Sequence, residues 1–271
     1  MIMGWMADEY ASIRGEPAPA VITGKPIALG GSLGRDDATA RGGYYLVNHL
    51  AKELGLGAGM RVAIQGFGNA GQFYASLAAA DGHRIVAVSD SRGAIACDAG
   101  FDVARLIALK NEGKSVTVLK GEPGIRAITV DELIGTECDL LVPAALEDMI
   151  HVGNAGMVRA KVILELANGP VTPEGDRILA DKGVVVLPDI LANAGGVTVS
   201  YFEWVQNRQG YYWTLEDIHA RLKVIMEREG AKIWAISRDK GISARTAAYV
   251  HALGRLAKAI EAHGTQQFFA G

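Results

Sequence analysis

A chain of 271 residues, 49% apolar and 21% charged, is long enough for one large or two modest domains, each with its own core. Its net charge of −3 provides no basic field for nucleic acid or an anionic membrane, so neither partner is expected. Cys97 and Cys138, with no Cys-x-x-Cys and no histidine cluster, read as small buried apolar residues of a reducing compartment, and no metal site is expected. There is no basic-then-apolar leader and no apolar run near the ~18 residues of a membrane span, so the expected location is cytoplasmic.

In chain order, Met1 to Arg14 reads as a helix whose Trp5, Met6 and Tyr10 should pack on something, within this chain or in a missing part. Pro17, Pro19, Gly24 and Pro26 then break the chain into a loop, and Gly30 to Asp36 forms a second turn-rich segment. Ala40, Tyr44, Val47, Leu50 and Leu54 fall at helical spacing before a strand at Arg61 to Gln65. Further strands are expected at Ile85–Ser89, Asp139–Val142, Val162–Leu166 and Val184–Leu187. Helices are expected around Asn69–Ala80, Asp102–Glu112, Thr129–Ile134 and Thr172–Asp181. Nearly continuous apolar strands alternating with helices predict an α/β fold, a doubly wound, mostly parallel, Rossmann-like sheet. After Pro188 only helices are expected: Thr214 with Asp217 looks like an N-cap, and Gly264 ends the last helix.

The most informative segment is Gly66-Phe67-Gly68-Asn69-Ala70-Gly71, a Gly-x-Gly-x-x-Gly between an apolar strand and a helix. The first glycine permits the turn, the second lets backbone approach a pyrophosphate, and the third lets helix and strand pack closely. With 34 glycines such a spacing alone is weak, but Asp90 stands about where an acidic ribose ligand belongs. A nicotinamide dinucleotide is the expected cofactor. A carboxylate at Asp90 would bind the ribose hydroxyls and favour NAD, whereas Ser91-Arg92 beside it would suit the 2′-phosphate of NADP.

Three more segments extend the pattern: Thr23 to Pro26 with Gly30 to Thr39, Leu166 to Gly175, and Leu187 to Trp204. Together with Gly66–Gly71 they resemble the glutamate/leucine/phenylalanine/valine dehydrogenase family over essentially the whole chain, and its glutamate-specific members most. The resemblance implies reversible oxidative deamination of L-glutamate to 2-oxoglutarate and ammonia. It implies cofactor contacts at Thr39, Asn69, Ala70, Ala144, Ala145, Asn168 and Asn193, and a substrate pocket at Val197 and Ser200. Read without it, Asn168 and Asn193 also suit turns, Thr39 an ordinary first helical turn, and Ser200 a solvent-facing helix position.

In the family the catalytic lysine and carboxylate belong to a substrate domain ahead of this segment, and no residue here matches them. Lys25 lies outside any such motif and, as a loop lysine, is expected to be solvated; Lys223, Arg228 and Lys232 should form a solvated helix face. The expected organisation is therefore a connecting segment at 1–35 and a dinucleotide-binding domain at 36–210. C-terminal helices at 211–271 would then pack on the sheet or towards the missing domain. Such a chain should bind NAD(P) but act on glutamate only when the missing domain is supplied, as a homo-oligomer or with a complementing N-terminal chain. The alternatives are a non-catalytic nucleotide-binding partner of a full-length dehydrogenase, or another amino-acid dehydrogenase of the family.

Overall fold

The fold is that of a computed structural model, which describes residues 1–264; residues 265–271, the end of the expected C-terminal segment, lie outside the described residues. Helix α1 (Ile2–Arg14) is closed by Gly15 in a left-handed conformation, and Gly4 sits against Leu29. Its Trp5, Met6 and Tyr10 are exposed. Two short 3₁₀ turns lead to α2 (Ala38–Leu50), β1 (Arg61–Gln65), α3 (Asn69–Ala80) and β2 (Arg84–Asp90). Then come β3 (Gly93–Cys97), α4 (Val103–Asn111), β4 (Ile125–Ile128), α5 (Val130–Ile134) and β5 (Leu140–Pro143). The described chain ends with β6 (Val162–Leu164), α6 (Pro173–Asp181), β7 (Val185–Leu187), α7 (Asp189–Ala192), α8 (Ala194–Gln209), α9 (Leu215–Lys240) and α10 (Ala244–His263).

The sheet runs β4-β3-β2-β1-β5-β6-β7. Neighbours along β2-β1-β5-β6-β7 pair in parallel, while β3 and β4 add an antiparallel edge. Neither β3 nor β4 was anticipated. Asp90 pairs with Gly93, leaving Ser91-Arg92 as a two-residue hairpin turn without the usual Asn-Gly signature, and β4 is a short, half-exposed edge strand.

The expected double winding follows from strands that are apolar on both faces. Val62, Ile64, Leu140, Val142, Val162 and Leu164 join one core with α2, α3 and α10, and Ala63, Leu141 and Ile163 join the other with α5 and α6. A bulge opposite Val62/Ala63 inserts Val86 into β2, so Val86 and Ala87 share the second core. The helices start where local chemistry directs: Thr129 and Glu132 form a capping box, and Thr172, Thr214 and Ser243 cap α6, α9 and α10. Helix α10 packs on the sheet through Ala247 and Ala248, while α8 and α9 share a third cluster with Ala38 around Phe202 and Leu222. No helix among the described residues is long and apolar enough to cross a membrane.

Helices α9 and α10 are clamped by Glu229, which takes a 2.8 Å hydrogen bond from His251 Nε2 and a 2.7 Å bond from Arg228. Burial works against its ionisation, but these bonds and the charges of Lys232 and Arg228 outweigh it and hold the carboxyl at about 2. A depressed carboxyl stabilises the fold above its ordinary value of 4.5 and loses that contribution as pH falls towards about 2. Glu229→Gln is therefore expected to lower stability by about 1–2 kcal/mol at neutral pH, allowing for solvent screening. Urea unfolding should show the gap between variant and parent closing across that acid range; a gap independent of pH would refute the assignment.

Candidate functional site

The chain leaves β1 and turns on Gly66, whose φ of +99° is left-handed. A Cβ on Gly66 would meet that of Ala145 at 2.6 Å, so the loop after β5 presses directly on the turn. A Cβ on Gly71, in the first turn of α3, would be driven into the carbonyl oxygen of Gly66. Around Gly68, by contrast, a Cβ would meet nothing within 4 Å. The outer glycines are thus demanded by the protein itself, and the middle one keeps a space open outside it. Helix α3 has no side-chain cap, so the N–H groups of its first turn face that space without an intrahelical partner. These features fit the pyrophosphate of a dinucleotide.

Phe67, within the glycine motif, is placed inside the protein. Its side chain is wholly buried in the core, and its N–H is taken by the Ser89 carbonyl at 2.6 Å. It is a packing residue, because the turn that exposes Gly68 points its neighbour inward. Gly71 likewise acts by seating the helix.

Two cavities flank the turn. One, of about 530 Å³, is lined by Gly66, Gly68, Asp90, Ser91, Ala144 and Ala145; the other, of about 770 Å³, by Arg35, Asp37, Thr39, Asn69, Ala70 and His219. The carboxylate of Asp90 is not free in the first cavity. Oδ1 accepts from Ser115 Oγ at 2.9 Å and Arg92 N at 3.0 Å, and Oδ2 from Lys110 Nζ and Val116 N, both at 3.0 Å. Burial opposes its ionisation, but these four donors outweigh burial and keep its pKa below the ordinary carboxylate value.

Beyond the second cavity, Asn193, which precedes α8, donates from Nδ2 to Asn168 Oδ1 at 2.7 Å, so both expected asparagines stand together at the C-terminal edge of the sheet. Ser200 Oγ accepts from Arg35 Nε at 2.9 Å and donates to the Gly196 carbonyl, while Val197, three residues before it, is exposed. Gly196 is required here: a Cβ would meet Thr39 Oγ1 at 2.6 Å. Thr39, Arg35 and Ser200 are thereby gathered where α2 meets α8.

Residues that spacing did not single out complete the cavity. Asp37 Oδ2 binds Arg41 at 2.6 Å, while Asp37 Oδ1 and His219 Nε2, 3.6 Å apart, are buried with no hydrogen-bond partner among the described residues. Lys25, expected to be solvated, is buried. Its Nζ lies 2.6 Å from Glu203 Oε1 and donates to the Ile22 carbonyl, and Glu203 also accepts the N–H groups of Gly24 and Lys25. The pair pins the loop to α8, because a buried charge is retained only with its partner. Lys223, Arg228 and Lys232 do form a solvated face.

The sequence profile of the glutamate/leucine/phenylalanine/valine dehydrogenases matches residues 30–264. The chain belongs to this family. It is 45% identical to the NADP-specific glutamate dehydrogenase of Synechocystis over 99% of its own length and 64% of that protein's. It is 46% identical to the glutamate dehydrogenase of Thermotoga maritima, covering 97% of itself and 63% of the relative. Among solved structures, the hetero-hexameric glutamate dehydrogenase of Thermus thermophilus in its leucine-bound form superposes with a TM-score of 0.89 at 35% identity. That match covers 97% of this chain and 62% of the other. The chain therefore spans a little under two thirds of the length of the relatives it matches.

The glycine geometry of this family member separates folding from binding. Gly68→Ala should fold with unchanged stability yet lose dinucleotide affinity by tenfold or more, roughly the effect of a methyl group intruding on the pyrophosphate. Gly71→Ala should instead lower stability by about 1–3 kcal/mol through overpacking. Thermal unfolding and fluorescence titration with NADPH would check both; a Gly68→Ala variant that binds normally would overturn the cradle assignment.

Proposed function

We propose that this chain is the dinucleotide-binding part of a glutamate dehydrogenase, serving the reversible oxidative deamination of L-glutamate to 2-oxoglutarate and ammonia. The single observation that carries the reading is the open space at Gly68 facing the uncapped start of α3, with Thr39, Asn69 and the Asn168–Asn193 pair along the same sheet edge. When bound, the nicotinamide supplies the hydride chemistry. In this reading the α3 amides hold the pyrophosphate, the asparagines orient the carboxamide and ribose, and Arg35 with Ser200 offers a charge-assisted site for the substrate's side-chain carboxylate.

Turnover further needs a lysine to activate water and a carboxylate to exchange protons. The lysine that lines the Thr39–Asn69 cavity, Lys25, is committed to Glu203 and the Ile22 carbonyl, which supports a binding role without turnover. The purified chain is expected to enhance NADPH fluorescence on binding and to form no reduced cofactor from glutamate. Adding the N-terminal portion of a relative should restore activity; turnover by the chain alone would overturn this reading. A second reading, a nucleotide-binding subunit in a mixed assembly, draws support from the hetero-hexameric Thermus relative.

We further infer that NADP is accepted, contrary to the bias towards NAD that a free Asp90 would impose. Its lone pairs are already occupied and its charge is offset by Lys110 at 3.0 Å, with Arg92 exposed beside it. Lys110→Met should expose an uncompensated carboxylate to the 2′-phosphate and weaken NADPH about tenfold relative to NADH, the discrimination expected of one charged contact. Equal effects on the two cofactors in parallel titrations would refute it.

A further inference from the structure

The start of α10 carries a cation where the helix dipole disfavours one: Arg245, in its first turn, is three-quarters buried among three carboxylates. Its guanidinium forks onto Glu165, with Nη2 to Oε1 at 2.7 Å and Nη1 to Oε2 at 3.0 Å. Nε meets Asp176 at 3.1 Å, and Nη1 lies 3.4 Å from Asp189 Oδ1. Glu165, fully buried just past β6, accepts the N–H of Asp189 at 2.7 Å and so seats the start of α7. Asp189 in turn holds both asparagine segments. Its Oδ2 accepts Gly169 N at 2.8 Å, next to Asn168, and its carbonyl accepts Asn193 N at 3.0 Å. The Asn193–Asn168 hydrogen bond closes the circuit.

We propose that Arg245 is a positioning residue for the nicotinamide end of the site, setting through Glu165 and Asp189 the placement of Asn168 and Asn193. The inference rests on the reading of those asparagines given above. A guanidinium is required because only its planar fork engages Glu165 with two nitrogens and still reaches Asp176 and Asp189. A lysine keeps the charge but presents a single point to the same carboxylates. The circuit touches nothing in the adenosine-side cavity lined by Gly66, Asp90 and Ala145, so its influence is confined to one half of the cofactor.

The test is binding of NADPH against ADP-ribose, which has no nicotinamide, to the full chain carrying Arg245→Lys. The expected result is NADPH weakened about tenfold with ADP-ribose unchanged within about twofold, the size of one displaced hydrogen bond. Asn193→Ala should give the same selective loss. If Asn193→Ala is selective and Arg245→Lys is not, the positioning role is overturned while the reading of the site stands. If neither discriminates, the asparagines are not at the nicotinamide and that reading falls as well. If Arg245→Lys weakens both ligands equally, the residue only supports the fold and the proposal fails. Should Arg245→Lys not fold, the double variant Arg245→Met with Glu165→Gln removes both buried charges and is judged by the same contrast.

Discussion

The carbonyl oxygen of Gly66 leaves no room for a side chain at Gly71, and the binding edge is built around that contact. It seats the first turn of α3 directly above the end of β1, so the unpaired amides of the helix open onto the crevice beside it. That crevice lies where the sheet order reverses, with β2 on one side of β1 and β5 on the other. Since β5, β6 and β7 run parallel to β1, their C-terminal ends arrive at the same edge and bring Ala144, Ala145, Asn168 and Asn193 with them. A single close approach thus fixes where the crevice opens, and parallel pairing determines which loops meet there.

Much of this was readable from local pattern. Strands covered on both faces are apolar along their buried stretches, as 62–64, 85–88, 140–143 and 162–164 are; the expected strand limits lie within two residues of the observed ones. Helix starts were equally local, as Thr129, Thr172 and Thr214 show. The antiparallel edge escaped for a physical reason. Gly93 to Cys97 is short and rich in small residues, and β4 exposes Arg126, so neither carries a distinctive period. What makes them strands is pairing, of β3 to β2 and of β4 to β3, a tertiary fact.

The site divides along the same line. Glycine spacing announces the turn because Gly66 answers its own left-handed φ and Gly71 the carbonyl of Gly66, constraints within a few residues. The state of a polar side chain does not, because its partners come from afar. Asp90 is satisfied by groups 20 to 26 residues away as well as by Arg92; Lys25 and Glu203 are 178 apart, and Arg245 and Glu165 are 80 apart. Read by type alone, Asp90 is a ribose ligand and Lys25 a solvated cation. Placed in the fold, the first is a carboxylate already engaged by four donors at the β2–β3 turn and the second a buried clamp.

This committed chemistry bears on how the site meets its ligands. Asn168 with Asn193, and Ser200 with Arg35, are each held by a partner before any ligand arrives, so their entropy of ordering is already spent in folding. On the proposed reading, a ligand that replaces those bonds with equivalent ones loses little, whereas one lacking the matching groups leaves polar atoms without their partners. Asp37 Oδ1 and His219 Nε2, 3.6 Å apart, have no hydrogen-bond partner among the described residues. Polar groups near α8 are therefore already paired, whereas Asp37, at the start of α2, and His219, on α9, keep unsatisfied atoms. Discrimination between ligands then follows from the cost of breaking existing bonds, which the fold sets, more than from the strength of new ones.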